Sequence, residues 1–144
     1  MRCPICTKII MKSPNEDNCV ELAGSVIVLP SPRGGRGLFA RIDLVEGVYV
    51  GCAFSWILTP SDIKQIDRTS IEGFWFDHPQ RSGWGLFPVG AIALVNHSIA
   101  PNAEINWNES ELGFIGHLVT TSRVSRGQEI LVDYGIELPD GWIP

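Results

Sequence analysis

The chain has 144 residues, 44% hydrophobic and 19% charged, with a net charge of −5. That length and composition predict one globular domain with a sizeable core and exclude a disordered chain. The acidic balance argues against non-specific nucleic-acid binding and favours a basic partner, while the absence of a long apolar run argues against a membrane span or a signal peptide.

An intracellular protein, in nucleus or cytoplasm, is therefore expected, with its four cysteines reduced. Residues 1–24 read as a leader. Cys3-Pro4-Ile5-Cys6 has the spacing of half a zinc knuckle. A closed tetrahedral site needs four ligands, yet Cys19 stands alone, Cys52 lies far off and no second C-x-x-C exists. The expectation is free thiols and no metal. Lys12 to Asn18 is polar and reads as a loop.

Ser25 to Leu29 is β-branched and apolar, the composition of a strand. A turn rich in Gly and Pro follows, Pro30 to Gly37, and Leu38-Phe39-Ala40-Arg41 resumes an extended pattern. Asp43 to Gly47 reads as a second turn and Val48 to Gly51 as the next strand. The glycine turn can bring backbone N–H groups close to a ligand, because no Cβ intervenes. It lacks the Gly-Lys-Ser/Thr of a phosphate loop and the third glycine of a dinucleotide fingerprint. Taken alone, a plain hairpin turn explains it equally well.

Thr59-Pro60-Ser61-Asp62 predicts a helix start, with Thr59 as cap, Pro60 in the first turn and Asp62 three residues after the cap. The helix should run from Pro60 to Asp67. Phe74-Trp75-Phe76 and Trp84-Gly85-Leu86-Phe87 read as core strands. Val89 to Val95 predicts one or two helical turns leading into Asn96-His97. A polar pair ending an apolar run is at least half buried and needs hydrogen-bond partners. An Asn-capped turn with a satisfied core histidine is the plain reading. Pro101 holds Ala100 extended. Glu104 to Asn108 alternates as a half-buried strand does, Leu112 to Thr121 reads as another strand, and Glu129 to Gly135 closes the pattern. Strands dominate without βα alternation, so the predicted class is mostly β with several small sheets.

Three separated pieces belong together: Gly35-Arg36-Gly37-Leu38-Phe39-Ala40 with Glu46-Gly47, Asn96-His97-Ser98 with Pro101-Asn102, and Gly127-Gln128-Glu129-Ile130 leading to Asp133-Tyr134-Gly135. In this order they resemble the SET domain of protein lysine methyltransferases, especially the short proteins that consist of little else. The resemblance covers Val26 to Gly135 and divides the chain into a leader (1–24), a SET domain (25–135) and a tail (136–144). It implies small, mostly antiparallel sheets with a C-terminal pseudoknot, so that Asn96-His97 and Tyr134 meet in space.

The resemblance further implies S-adenosylmethionine as methyl donor, held by Gly35, Arg36 and Gly37 on one side and by Asn96 and His97 on the other. Tyr134 is the implied catalytic residue, orienting a lysine amine that an apolar channel keeps neutral. A phenol with a pKa near 10 is a poor base. A structural aromatic at a strand end is the plain alternative for Tyr134. Phe74, or Trp75 beside it, stands where many members carry a channel tyrosine. Val132 stands where many carry an aromatic that limits methylation, so its small side chain leaves room for multiple methylation. Histone-directed members often end in a zinc-binding, cysteine-rich tail. This tail has no cysteine, so Trp142 or a partner chain, as in a homodimer, could supply the missing channel wall. The implied partner is a protein bearing a target lysine, with a basic histone tail the natural guess. The alternative is a SET domain that binds peptide or partner without turnover, motivated by Phe74 and the tail.

Overall fold

A computed structural model describes residues 20–21 and 24–135 of the chain. Cys3, Cys6, Cys19 and Trp142 lie outside the described residues. Three strands begin the fold: β1 (Val20–Glu21), β2 (Val26–Pro30) and β3 (Arg36–Ala40), paired antiparallel in that order. The glycine turn between β2 and β3 is a tight loop in which Gly34 and Gly35 take φ of 105° and 62°, a region L-residues avoid. A long strand, β4 (Tyr49–Leu58), then enters the second sheet.

The helix α1 (Pro60–Ile66) begins as expected. The Thr59 hydroxyl accepts from the Asp62 N–H at 3.2 Å, and the Asp62 carboxylate accepts from the Thr59 N–H at 2.8 Å, a reciprocal capping box. The aromatic run after it does not form the expected core strand at full length. Phe74 is 45% exposed. Gly73, at φ 74°, and a bond from the Phe74 N–H to the Ile71 carbonyl keep its start in a turn. Only β5 (Phe76–Asp77) pairs. The second run does pair, as β6 (Gly85–Gly90) against β4. That pairing takes Val89 away from the expected helical turns, which shrink to a 3-10 turn at Ala91–Leu94. Asn96 caps no turn; it lies in β7 (Asn96–His97).

The hairpin β8 (Ala103–Ser110) and β9 (Gly113–Thr120) completes a five-stranded antiparallel sheet of order β5-β6-β4-β9-β8. Side chains on β9 alternate between half-buried and buried, as period two requires. Its inner face joins Leu38, Ile92, Leu118, Val124, Ile130 and Val132, all at most 1% exposed, in one core. Each such burial contributes about 1.5–3 kcal/mol.

The last strand among the described residues, β10 (Leu131–Val132), positions the site. It runs parallel to β7, Leu131 beside Asn96 and Val132 beside His97. Just before it, the Ile130 N–H donates to the Leu38 carbonyl at 2.7 Å and the Ala40 N–H to the Gln128 carbonyl at 2.9 Å. Residues 128–132 are thus threaded between β3 and the loop after β7, a pseudoknot. Asn102 closes it. Its side-chain N–H donates to the Glu129 carbonyl at 2.8 Å and its oxygen accepts from the Leu131 N–H at 2.9 Å. No helix among the described residues is long and apolar enough to cross a membrane.

Candidate functional site

The pseudoknot brings three distant stretches to one cavity of about 750 Å³. One wall is the backbone of Gly34, Gly35 and Arg36. The 3-10 turn and Val95-Asn96 lie beside it, and Tyr134 and the aromatic stretch Phe74-Trp75-Phe76 complete the lining. A cavity of this size falls within the roughly 300–1,000 Å³ of small-molecule sites.

The polar centre is a hydrogen-bonded chain. The Asn96 side-chain N–H group donates to the Arg36 carbonyl at 3.1 Å and to Glu129 Oε1 at 2.7 Å. The other oxygen of Glu129 accepts from the Ser31 hydroxyl at 3.0 Å, with Arg33 Nε at 4.0 Å. Glu129 is buried, and these partners satisfy its carboxylate oxygens. Gly37 lies against this chain and does not line the cavity. A Cβ there would run into the Glu129 carboxylate and come within 3.0 Å of Asn96 Nδ2.

Tyr134 is held at three points. Its hydroxyl donates to the Val95 carbonyl at 2.6 Å, and its N–H donates to His97 Nδ1 at 3.1 Å. Its ring meets Phe76 edge-on, centroids 5.3 Å apart. Burial, with a smaller contribution from the Glu129 charge, pushes the phenol up to about 12. The group is therefore a neutral donor near neutrality. His97 is buried beneath the Tyr134 backbone and does not line the cavity; its Nε2 has no partner among the described residues. Val132 is 1% exposed, in the core beside His97 and outside the cavity. Phe74 and Trp75 both line it, and the Trp75 indole N–H donates to Asp67 Oδ1 at 3.1 Å.

The family model for the SET domain matches residues 35–135, more than half of the chain. The chain belongs to the SET-domain family. Among solved structures, this SET domain is similar to a Plasmodium falciparum protein assigned as a histone methyltransferase, at 18% identity and a TM-score of 0.64. The likeness covers 81% of this chain and 97% of that one. It is also similar to a humanized mutant of the Chaetomium thermophilum Polycomb Repressive Complex 2 bound to an inhibitor. There the identity is 20% and the TM-score 0.63, over 83% of this chain and 16% of that one. A third is the ctPRC2 assembly in an autoinhibited conformation bound to S-adenosylmethionine, at 18% identity and a TM-score of 0.65, over 83% of this chain and 16% of that one. These likenesses establish the fold. No curated protein matches the chain.

Two residues central to this SET domain's site carry no local sequence signal. Glu129 reads as one polar residue before an apolar strand, and Asn102 as a turn residue after Pro101. Their role appears only when residues far apart in the chain are set side by side. A buried carboxylate before an apolar strand needs a waiting partner, and both residues stand in the stretches that carry the resemblance.

Proposed function

We propose that this SET domain transfers methyl groups from S-adenosylmethionine to a lysine side chain of a protein, with a basic, histone-like tail as the substrate class. The observation that carries the reading is one cavity shared by the Tyr134 ring, Asn96 and the glycine turn. The residues present fit the donor. At Gly34 and Gly35 the backbone can approach a ligand without a Cβ between them. Gly37 leaves the space in which Asn96 and Glu129 meet. The negative potential of Glu129 acts on the Tyr134 hydroxyl, and the same potential favours a cationic ligand alongside it. Gly35, Arg36 and Asn96 would hold the donor, with His97 supporting from behind. When bound, S-adenosylmethionine supplies an activated methyl group on a positive sulfur.

The chain's own groups then have three tasks. Phe74, Trp75 and Phe76 strip water from an arriving ammonium, which lowers its pKa and releases its proton to solvent. Their faces also attract it while it is still charged. Tyr134, neutral and anchored on Val95, orients the amine and takes no proton. Positioning of this kind, more than acid–base chemistry, lowers the barrier. Glu72 at the rim of the cavity and the net charge of −5 favour a basic peptide. Trp142 of the tail, or a second copy in a homodimer, would complete the channel, and the site of action would be nucleus or cytoplasm. Because Val132 sits in the core, room for more than one methyl group would depend on the aromatic wall.

The test is to incubate the pure protein with labelled S-adenosylmethionine and a panel of core histones and lysate proteins. Tyr134→Phe should lower transfer by about 10²-fold or more, the scale of one lost active-site hydrogen-bonding group, and leave affinity for S-adenosylmethionine by calorimetry nearly unchanged. Donor binding without transfer in the native protein would favour a binding module, and no donor binding would discard both readings.

A further inference from the structure

The helix α1 adds no fully buried residue to the core, yet its start is fixed by a reciprocal capping box. Its far end breaks a local rule. Asp67 caps the helix and puts a carboxylate at the negative end of the helix dipole, where a basic side chain is the stabilising choice. The backbone there is firmly bonded. The Asp67 N–H donates to the Ile63 carbonyl at 2.9 Å, and the Thr69 hydroxyl donates to the Ile66 carbonyl at 2.7 Å. A rule broken on an otherwise well-built element points to a role outside that element.

The partner of Asp67 is Trp75, whose indole N–H donates to Asp67 Oδ1 at 3.1 Å. The same ring is seated on Gly85 at the start of β6. A Cβ there would come within 2.9 Å of Trp75 Cε3 and 3.3 Å of Ile63 Cδ1. Close approach therefore calls for glycine at this strand position. Between Asp67 and Trp75 run residues 68–74, all exposed. Three of them, Glu72, Gly73 and Phe74, line the cavity. The indole bond thus closes the loop that carries the cavity's rim.

We propose that Asp67 is a positioning residue for substrate entry. By tying the Trp75 indole to α1, it holds the aromatic wall and its rim in the shape that admits a lysine side chain. The inference rests on the methyl-transfer reading and names the residue that governs the peptide side of that site. Inside the loop run only short turn bonds, from the Glu72 N–H to the Thr69 carbonyl and from the Phe74 N–H to the Ile71 carbonyl, both at 3.2 Å. Exposed bonds of this kind open at little cost. Asp67 acts through Trp75 and touches no reacting atom. The bonds that hold Asn96, Glu129 and Tyr134 involve none of residues 67–75, so the donor side should not feel the clasp.

Asp67→Ala in the full chain should weaken binding of core-histone tail peptides by calorimetry about 2- to 10-fold, the scale of one hydrogen bond. KM for the peptide should rise by the same factor, with kcat and affinity for S-adenosylmethionine unchanged. Asp67→Asn keeps an acceptor oxygen and should restore most of the loss. Gly85→Ala unseats the ring with Asp67 intact and should reproduce the pattern of Asp67→Ala. A second readout needs no substrate. In a chain labelled with ¹⁵N-tryptophan, the Trp75 indole N–H, identified by its absence in Trp75→Phe, should exchange faster in Asp67→Ala than in the native chain. Peptide affinity unchanged in Asp67→Ala would mean that the rim holds itself. Asp67→Asn as weak as Asp67→Ala would mean that charge, and not the clasp, draws the peptide. Either result overturns the proposal, as does a native chain that binds none of the tails. Tails bound by the native chain without transfer, and bound less well by Asp67→Ala, would sink the catalytic reading alone and uphold the clasp.

Discussion

The two sides of the cavity are held in different ways. On the side of Asn96, Glu129 and Tyr134, side-chain and backbone bonds tie four segments together: the loop after β2, the start of β3, β7 with the residue before it, and residues 129–134. On the aromatic side, Gly73 to Phe76 hangs from a turn bond, one indole bond and a two-residue strand, with Phe74 nearly half exposed. The first side is over-determined; the second has room to adjust. A site that must fix one ligand and admit another of variable shape needs that asymmetry.

The comparison breaks most severely at the fastening of the pseudoknot. Asn102→Ala removes both side-chain bonds that fasten it and leaves the part-buried Leu131 N–H and the buried Glu129 carbonyl unpaired. At about 1–3 kcal/mol for each orphaned group, stability should fall by about 2–6 kcal/mol in urea denaturation. Asn102→Asp keeps one acceptor and should fall less. A loss below about 1 kcal/mol would mean that this side is no more firmly held than the other.

Next comes Gly37→Ala. Its Cβ would displace Glu129 from Asn96, an overpacking cost of about 1–3 kcal/mol. Donor binding by calorimetry should weaken along with it, because the Asn96 side chain loses its place. The aromatic side should respond less. Trp75→Phe keeps an aromatic ring in the lining and loses the bond to Asp67, about 0.5–1.5 kcal/mol. Its effect on transfer should show in KM for the peptide and not in affinity for the donor.

The same asymmetry governs what the amino-acid sequence alone revealed. Thr59 and Asp62 carry their capping box within one turn of chain, so the helix start was legible. The β2 and β3 strands were legible from composition. Phe74-Trp75-Phe76 misled, because an aromatic run signals burial, whereas Gly73 turns its first residue outward. The meeting of Asn96 with Tyr134 was legible only through resemblance, since no local pattern specifies a thread. Gly37 was singled out for closeness to a ligand; the nearest atoms to its missing side chain belong to Glu129. His97 was expected to help hold the donor beside Asn96; its ring lies under the Tyr134 backbone. Hydrogen bonds between residues far apart in the chain leave no periodicity to read.

The mildest perturbation, Tyr49→Phe, measures the rigid side directly. The chain has two tyrosines, so Tyr49→Phe leaves Tyr134 as the one phenol to titrate. In the folded state it is pushed up to about 12, by burial first and by Glu129 second. An unfolded tyrosine ionises near 10. The raised folded value means that the contribution to stability is complete below pH 10 and is lost as pH rises toward 12. Phenolate absorbance should therefore stay flat through pH 10 in the folded protein and rise at once on unfolding. Adding Glu129→Gln removes the neighbouring negative charge and should bring the midpoint down, though not to 10, because burial persists. A folded Tyr134 that ionised near 10 would mean an open, hydrated ring, and the two sides of the cavity would then be alike.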